Sequence, residues 1–295
     1  MGQVFIDPLS DGGFKRFFGI EGKSETFLLD FLNSLFKEDP EIGEIVSVRY
    51  LNNEQNSGNI HQKEIRYDLH CETDTGHRFI VEMQRDVRPH FEKRAIYYVS
   101  KAVADQLNTE RDGTRGYRTL MPVIGLYVLE TSLPGKEEKI LLDYRYREKD
   151  NPADAMGLTR MVFVQLGNFN RKEEECVTPE EQWFYVLKNL NKMEYMPFRE
   201  VRDRVFEKLG EYAKVSNLTG AERQEYDRMR KFQLDYYSDI YDARTEGLAK
   251  GRAEGEAKGM AKGIQLVALK MKQSGDSVDR ISELTGLTPD EIASL

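Results

Sequence analysis

Arg66-Tyr67-Asp68-Leu69-His70-Cys71-Glu72-Thr73-Asp74-Thr75-Gly76-His77-Arg78-Phe79-Ile80-Val81-Glu82-Met83-Gln84 is the stretch on which the fold turns. It reads as two strands, Arg66 to Thr73 and His77 to Gln84, joined at Asp74-Thr75-Gly76, where Gly76 can take a left-handed conformation. Alternate residues of a strand share a face, so Glu82 and Gln84 point one way while Phe79, Val81 and Met83 point the other. On the preceding strand Asp68 shares a face with His70 and Glu72, and Leu69 and Cys71 lie behind. Register decides what meets. A two-residue turn sets Leu69 opposite Glu82 and sends the acids to opposite faces; a three-residue turn sets Asp68 opposite Glu82, with Gln84 one step beyond. A three-residue turn ending in a left-handed glycine is common, and it, or an equivalent bulge near Asp68, is the expected register. Facing carboxylates repel unless a cation or proton lies between them. Oxygen ligands so placed suit Mg²⁺ or Mn²⁺. Acids on a solvated strand face are the ordinary alternative, and the hairpin alone does not choose between the two.

Outward from the hairpin, Phe27, Leu28, Phe31, Leu32, Leu35 and Phe36 follow the spacing of a buried helical stripe, with Ser24 as N-cap and an end near Lys37. Residues 2–13 read as an extended lead-in, and Phe14 to Phe18 as a compact element ended by Gly19. Ile45 to Leu51 reads as a strand and Asn52 to Gln62 as a polar loop. A helix is expected from Pro89 to about Leu107, followed by strands at Met121 to Leu129, Ile140 to Tyr146 and Thr159 to Leu166. From Pro179 the pattern is helical, with Trp183, Phe184, Leu187 and Leu190 on one face and a further helix over Phe198 to Ala213. This order predicts an α/β core containing a hairpin, followed by a helical annex.

The chain has 295 residues, 39% hydrophobic and 32% charged, enough apolar material for a real core with accessories. Its net charge of −8 opposes a broad nucleic-acid-binding surface but leaves room for a local basic groove. Cys71 and Cys176 are far apart and lack metal-ligand spacing. With no apolar leader at the N-terminus and no membrane-length apolar run, reduced thiols in a soluble, cytoplasmic protein are expected. No GxxxxGK loop is present, which argues against a P-loop NTPase.

A set of dispersed motifs carries a resemblance: Asp11-x-x-Phe14-Lys15-x-x-Phe18-Gly19, Asp30-Phe31-Leu32-Asn33, Asp68, Ile80-Val81-Glu82-Met83-Gln84, Arg94-x-x-Tyr97-Tyr98, Gly116-Tyr117 and Pro122-Val123-Ile124. Their order and spacing resemble the recombination-promoting nuclease/transposase family of the PD-(D/E)xK superfamily, over most of residues 5 to about 170 and in the glycine-repeat tail. The resemblance implies a restriction-endonuclease-like core with a mixed sheet flanked by helices, Mg²⁺- or Mn²⁺-dependent cleavage of DNA phosphodiesters, and a place in mobile-element or phage-defence biology. Carried over by position, Asp68 and Glu82 are the metal ligands, and Gln84 stands where the superfamily usually has a lysine. Gln84 can position water but supplies no positive charge. Lys15 or Arg94 is expected to supply it; each is otherwise a surface or partner charge without a catalytic part. Asp11 either reaches the site or caps the turn before Phe14. Arg85, Arg88, Lys93 and Arg94, on or near the helix from Pro89, are candidate DNA contacts, although Asp86, Glu92 and Asp105 dilute the patch.

In the tail, Gly247, Gly251, Gly255, Gly259 and Gly263 recur every four residues among Ala, Glu and Lys. A helix is expected there, open to self-association through close approach at the glycines, or else a flexible linker. Residues 264–295 outline a helix-turn-helix, but Asp276, Asp279, Glu283, Asp290 and Glu291 against Arg280 alone oppose DNA reading and favour a protein contact. The expected organisation is a nuclease-like core over 1–175, an annex over 176–245, the glycine repeat over 246–263 and the small module over 264–295. The rival to a metal-dependent DNA endonuclease is a catalytically weak or inactive scaffold of the same fold that assembles through its tail.

Overall fold

The computed structural model describes residues 4–52, 54–55, 65–108 and 116–295. Two helices come first, α1 (Asp11–Phe18) and α2 (Glu25–Phe36), then the strands β1 (Val48–Tyr50), β2 (Glu54–Gln55), β3 (Ile65–Arg66), β4 (Leu69–Thr73) and β5 (Arg78–Gln84). Helix α3 (Phe91–Asn108) leads to β6 (Val123–Leu129), β7 (Leu141–Arg147) and β8 (Ala155–Gln165), and then come α4 (Pro179–Asn189) and α5 (Val205–Ala213). Helices α6 (Gly220–Gln273), α7 (Val278–Thr285) and α8 (Pro289–Ser294) complete the chain. Most of the polar loop expected over Asn52 to Gln62 lies outside the described residues.

Six strands form one mixed sheet in the order β1-β4-β5-β6-β8-β7. The β5–β6 and β6–β8 pairs are parallel, and the pairs toward both edges are antiparallel. The parallel β5–α3–β6 unit is a crossover connection, which lays α3 on one face of the sheet. There Val99 and Ala102 of α3 pack with Ile80 and Val123, and Phe91 and Ala95 pack with Tyr127, Leu129 and Phe163. The other face carries Phe79, Val81, Met83, Ile124, Leu126, Val128, Val162 and Val164, buried against α1, α2, α4 and α5. Both faces of the central strands are therefore covered, which explains why β6 (Val-Ile-Gly-Leu-Tyr-Val-Leu) shows no polar alternation.

The annex expected as a separate piece shares this core: Trp183 of α4 lies 5.6 Å from Phe18, 5.4 Å from Phe31 and 5.0 Å from Phe206, ring centre to ring centre. The expected lead-in over residues 2–13 is also corrected. Ser10 accepts the Gly13 amide at its side chain, so α1 starts at Asp11, three residues before the apolar cluster that marked it in the sequence. The helix expected from Phe198 begins only at Val205, because Arg202, Asp203 and Arg204 carry left-handed backbone.

The chain divides into two compact units, Met1–Met229 and Arg230–Leu295. In the second, the glycine repeat is continuous helix, part of the 54-residue α6. The end of α6 packs with α7 and α8 through Ala268, Ile281 and Ile292, joined by Met271, Leu287 and Leu295. No helix among the described residues is long and apolar enough to cross a membrane.

Candidate active site

The hairpin takes the three-residue turn. Thr73 donates its amide to His77 O at 2.9 Å, Gly76 donates to Thr73 O at 3.1 Å, and Gly76 sits at φ +77°. Leu69 consequently pairs with Val81, His70 with Ile80 and Cys71 with Phe79. The same register carried one step further brings Asp68 opposite Glu82. Asp68 Oδ2 accepts the Met83 amide at 2.9 Å, and the Asp68 amide donates to Glu82 Oε1 at 3.4 Å. Asp74 fixes the turn from outside by accepting the Val46 and Ser47 amides at 3.0 and 2.9 Å.

Glu82 is 4% exposed, beneath α3, on the sheet face that also carries Ile80. Among the described residues its carboxyl accepts only the long bond from Asp68. Asp68 is exposed as a residue, but its carboxyl turns inward onto the Met83 amide. The pair thus has one open member and one buried member. Both carboxyls are held above their ordinary range. For Glu82 burial is the main cause and the facing Asp68 the next; for Asp68 burial leads, opposed by the Met83 amide and reinforced by Asp11. Arg94 pulls both down. The phenols of Tyr67, Tyr98 and Tyr127 are raised by burial first, then by the Glu82 charge for Tyr98 and Tyr127 and by Asp105 ahead of Glu82 for Tyr67, so they stay protonated around the acids.

Tyr127 is the β6 residue paired with Glu82, and its hydroxyl donates to Ala95 O at 3.0 Å. That bond ties α3 to the strand beside Glu82 and sets Arg94, the residue before Ala95, next to the acids. Gly125 makes the approach possible: a Cβ there would lie 2.6 Å from Tyr127 Cε2 and 2.8 Å from Val99 Cγ2. Gln84 lies two residues past Glu82 on the same face, half-buried, and its side-chain amide has no hydrogen-bond partner among the described residues.

Asp11 does not cap α1; Ser10 does, and the exposed Asp11 is close enough for its charge to raise Asp68. Lys15, one turn after Asp11 on α1, is exposed, and among the described residues its side chain makes no ion pair or hydrogen bond. Arg85 is taken up elsewhere, by Asp7, by Glu130 at 3.5 Å and by Leu9 O at 2.8 Å. Arg88 and Lys93 are exposed at the start of α3. Sequence reasoning passed over Tyr67, Tyr98 and Tyr127 as site residues. For Tyr127 the available signal was a single phenol in an otherwise aliphatic buried strand.

The family model for PD-(D/E)XK nuclease family transposases matches residues 8–243. The chain belongs to this family. The match takes in α4, α5 and the first part of α6, which the motifs in the sequence had left outside, and it stops before the glycine repeat. No curated protein and no solved structure matched the chain. Membership in the PD-(D/E)XK nuclease family transposases agrees with the mixed sheet flanked by helices and points to nuclease- or transposase-related activity.

Nucleases of this kind imply a divalent metal, and the donors fit one. Glu82 is a buried carboxylate with one long hydrogen bond, facing a second carboxylate, a negative pair that a cation would neutralise. Among the described residues no group of three or more His, Cys, Asp and Glu side chains forms a metal cluster. Two carboxylates suffice for an ion such as Mg²⁺, which keeps waters and takes substrate phosphate as its remaining ligands.

Proposed function

We propose that this protein is a metal-dependent DNA endonuclease that uses Mg²⁺ or Mn²⁺ held by Asp68 and Glu82. The observation that carries the reading is the register of the hairpin, which sets the buried carboxylate of Glu82 against that of Asp68. When bound, the ion supplies Lewis-acid stabilisation of the phosphoryl oxygens and lowers the pKa of nearby water. The chain's own groups do the rest. Asp68 and Glu82 hold the ion. Gln84, with its amide unengaged, orients the attacking water. The surrounding Tyr67, Tyr98, Tyr127 and α3 keep the site partly dry. Water oxygen bonds to phosphorus and the P–O bond to the leaving strand breaks with its electron pair on the departing oxygen. One water proton is lost to solvent, and the departing oxygen takes up another.

Arg94, whose charge acts on both acids, and the exposed Arg88 and Lys93 at the start of α3 are suited to contact DNA phosphates; Arg85, already paired, is not among them. Two buried cysteines with free thiols suit a reducing cytoplasm, and the fold suits recombination, mobile-element or phage-defence roles. The test is nicking of supercoiled plasmid in Mg²⁺, Mn²⁺ or EDTA by the wild type and by Glu82→Ala. Metal-dependent nicking that vanishes in the variant supports the reading, and folded protein that never nicks overturns it.

One observation favours a second reading. The neutral Gln84 leaves the strand without the lysine charge usual in the superfamily, as a non-catalytic scaffold could. Copies would then assemble through α6, whose Phe232, Tyr241, Leu248 and Met260 are exposed. Sedimentation of a plasmid-inactive protein as an oligomer would favour it; a monomer would not.

A further inference from the structure

We propose that Arg94 is the cation of this site reserved for the substrate phosphate, and that it opposes rather than assists binding of the metal. The inference rests on the nuclease reading above and deepens it.

Placement comes from the sheet. Glu82 pairs with Tyr127, Tyr127 is tied to Ala95 O, and Arg94 precedes Ala95, near enough for its charge to act on both acids. Its guanidinium carbon rests 5.1 Å from the ring centre of Phe91 and 5.8 Å from that of Tyr98, two aromatic faces that hold a flat cation without using its N–H groups. Its Nη2 is buried and has no hydrogen-bond partner. Among the described residues Arg94 forms no ion pair, although the charges of both Asp68 and Glu82 act on it.

A charged donor buried without a partner is costly. Burial next to two carboxylates offers an obvious way to relieve that cost, and the fold does not take it. The guanidinium is stacked close enough for its field to reach the acids and is kept from closing onto them. Among the described residues Arg94 is the cation whose charge acts on both acids, Lys15 and Lys93 are exposed, and Arg85 is committed to Asp7 and Glu130. The chemistry then follows. In the hydrolysis written above, negative charge grows on the non-bridging phosphoryl oxygens. Gln84 cannot balance it with charge, whereas a guanidinium with a free N–H can donate to such an oxygen. The same positive charge beside the carboxylates repels an incoming divalent ion.

A cation that merely braces Asp68 and Glu82 and one that waits for phosphate make opposite predictions for metal binding. Full-length wild type, Arg94→Gln and Arg94→Lys are compared for folding by thermal melting, for Mn²⁺ affinity by electron paramagnetic resonance, for binding of a labelled DNA duplex in Ca²⁺ by anisotropy, and for cleavage in Mg²⁺. Arg94→Gln is expected to bind Mn²⁺ about threefold to tenfold more tightly than wild type, to bind the duplex about fivefold to tenfold more weakly, and to cleave about a hundredfold more slowly. Arg94→Lys keeps the charge and recovers part of the duplex binding and cleavage. Mn²⁺ binding weakened in Arg94→Gln overturns the proposal in favour of a bracing role, and unchanged Mn²⁺ binding or unchanged duplex binding overturns it as well. If wild type binds Mn²⁺ but never cleaves, the nuclease reading fails, while the metal and duplex measurements still decide for or against Arg94. Should Arg94→Gln not fold, Arg94→Lys decides by the same two binding measurements, a wild-type Mn²⁺ affinity with weakened duplex binding supporting the proposal and the converse overturning it.

Discussion

The backbone amide of Asp68 donates to Glu82 Oε1 at 3.4 Å, so the end of one strand touches the acid of the next and the two carboxyls share one small volume. A shared site for two negative charges has consequences for activity, for stability and for its dependence on pH.

Glu82→Gln keeps the shape of the side chain and removes its charge. Metal-dependent plasmid cleavage should fall at least about a hundredfold, since the variant loses one of two carboxylate donors. In metal-free buffer at neutral pH the melting temperature should hold or rise, because the repulsion with Asp68 and the cost of burying a carboxylate both disappear. A large drop in melting temperature would mean that Glu82 serves the fold as an ion-pair partner rather than as a ligand.

The pH dependence has a definite sign. Glu82 is raised from its ordinary 4.5, so between that value and its folded-state pKa the folded chain binds more protons than the unfolded one. Its contribution to stability is therefore greatest at low pH and declines as pH rises from 4.5 upward through the folded-state pKa. Asp68, raised from 3.8, acts in the same direction. Denaturant melts of metal-free Glu82→Gln should accordingly lose less stability than wild type between pH 5 and pH 8, and saturating Mg²⁺ should remove most of the wild-type loss at the upper end. A wild-type protein that loses no more stability than the variant over that range would contradict the shared burial.

Gly125→Ala should destabilise the first unit by about 1–3 kcal/mol. Its Cβ would collide with Tyr127 and Val99 at 2.6 and 2.8 Å, between two buried groups that have little room to move. Since Tyr127 is the residue paired with Glu82, cleavage should drop along with the melting temperature. A variant as stable as wild type would show that α3 is free to lift from the sheet.

In the second unit, Ile281 is fully enclosed with Ala268 and Ile292. Ile281→Asp places a charge in that small core and should abolish amide-exchange protection across α7 and α8. Protection of β4, β5 and β6 should be unaffected. Loss of protection in those strands as well would mean that the two units do not fold independently.

Much of this could be read in the residues one by one. The alternation of Phe79, Val81 and Met83 against Glu82 and Gln84 placed the strand and its faces, and Gly76 marked the left-handed turn. The stripe of Phe27, Leu28, Phe31 and Leu32 marked α2. These are local signals, written in the period of one element. Asp11 stays open between cap and site in the sequence because a serine and an aspartate are both good caps, and only the Ser10 bond to Gly13 decides between them. The joining of α4 and α5 to the core was missed because an apolar helix face does not state which surface covers it.

What the sequence determined by itself was the order of the main helices and strands of the core and the two acids on the arms of one hairpin; it left the glycine repeat open between helix and linker. Tertiary structure alone decided that Trp183 closes the same core as Phe18 and Phe31, that Arg85 is spent on Asp7 and Glu130, and that the charge of Arg94 acts on both acids. The reason is physical. Periodicity is imposed by bonds between residues a few positions apart. The partner of a charged side chain is instead chosen by whatever the crossover from β5 through α3 to β6 happens to bring within reach, across distances in sequence that no local pattern encodes.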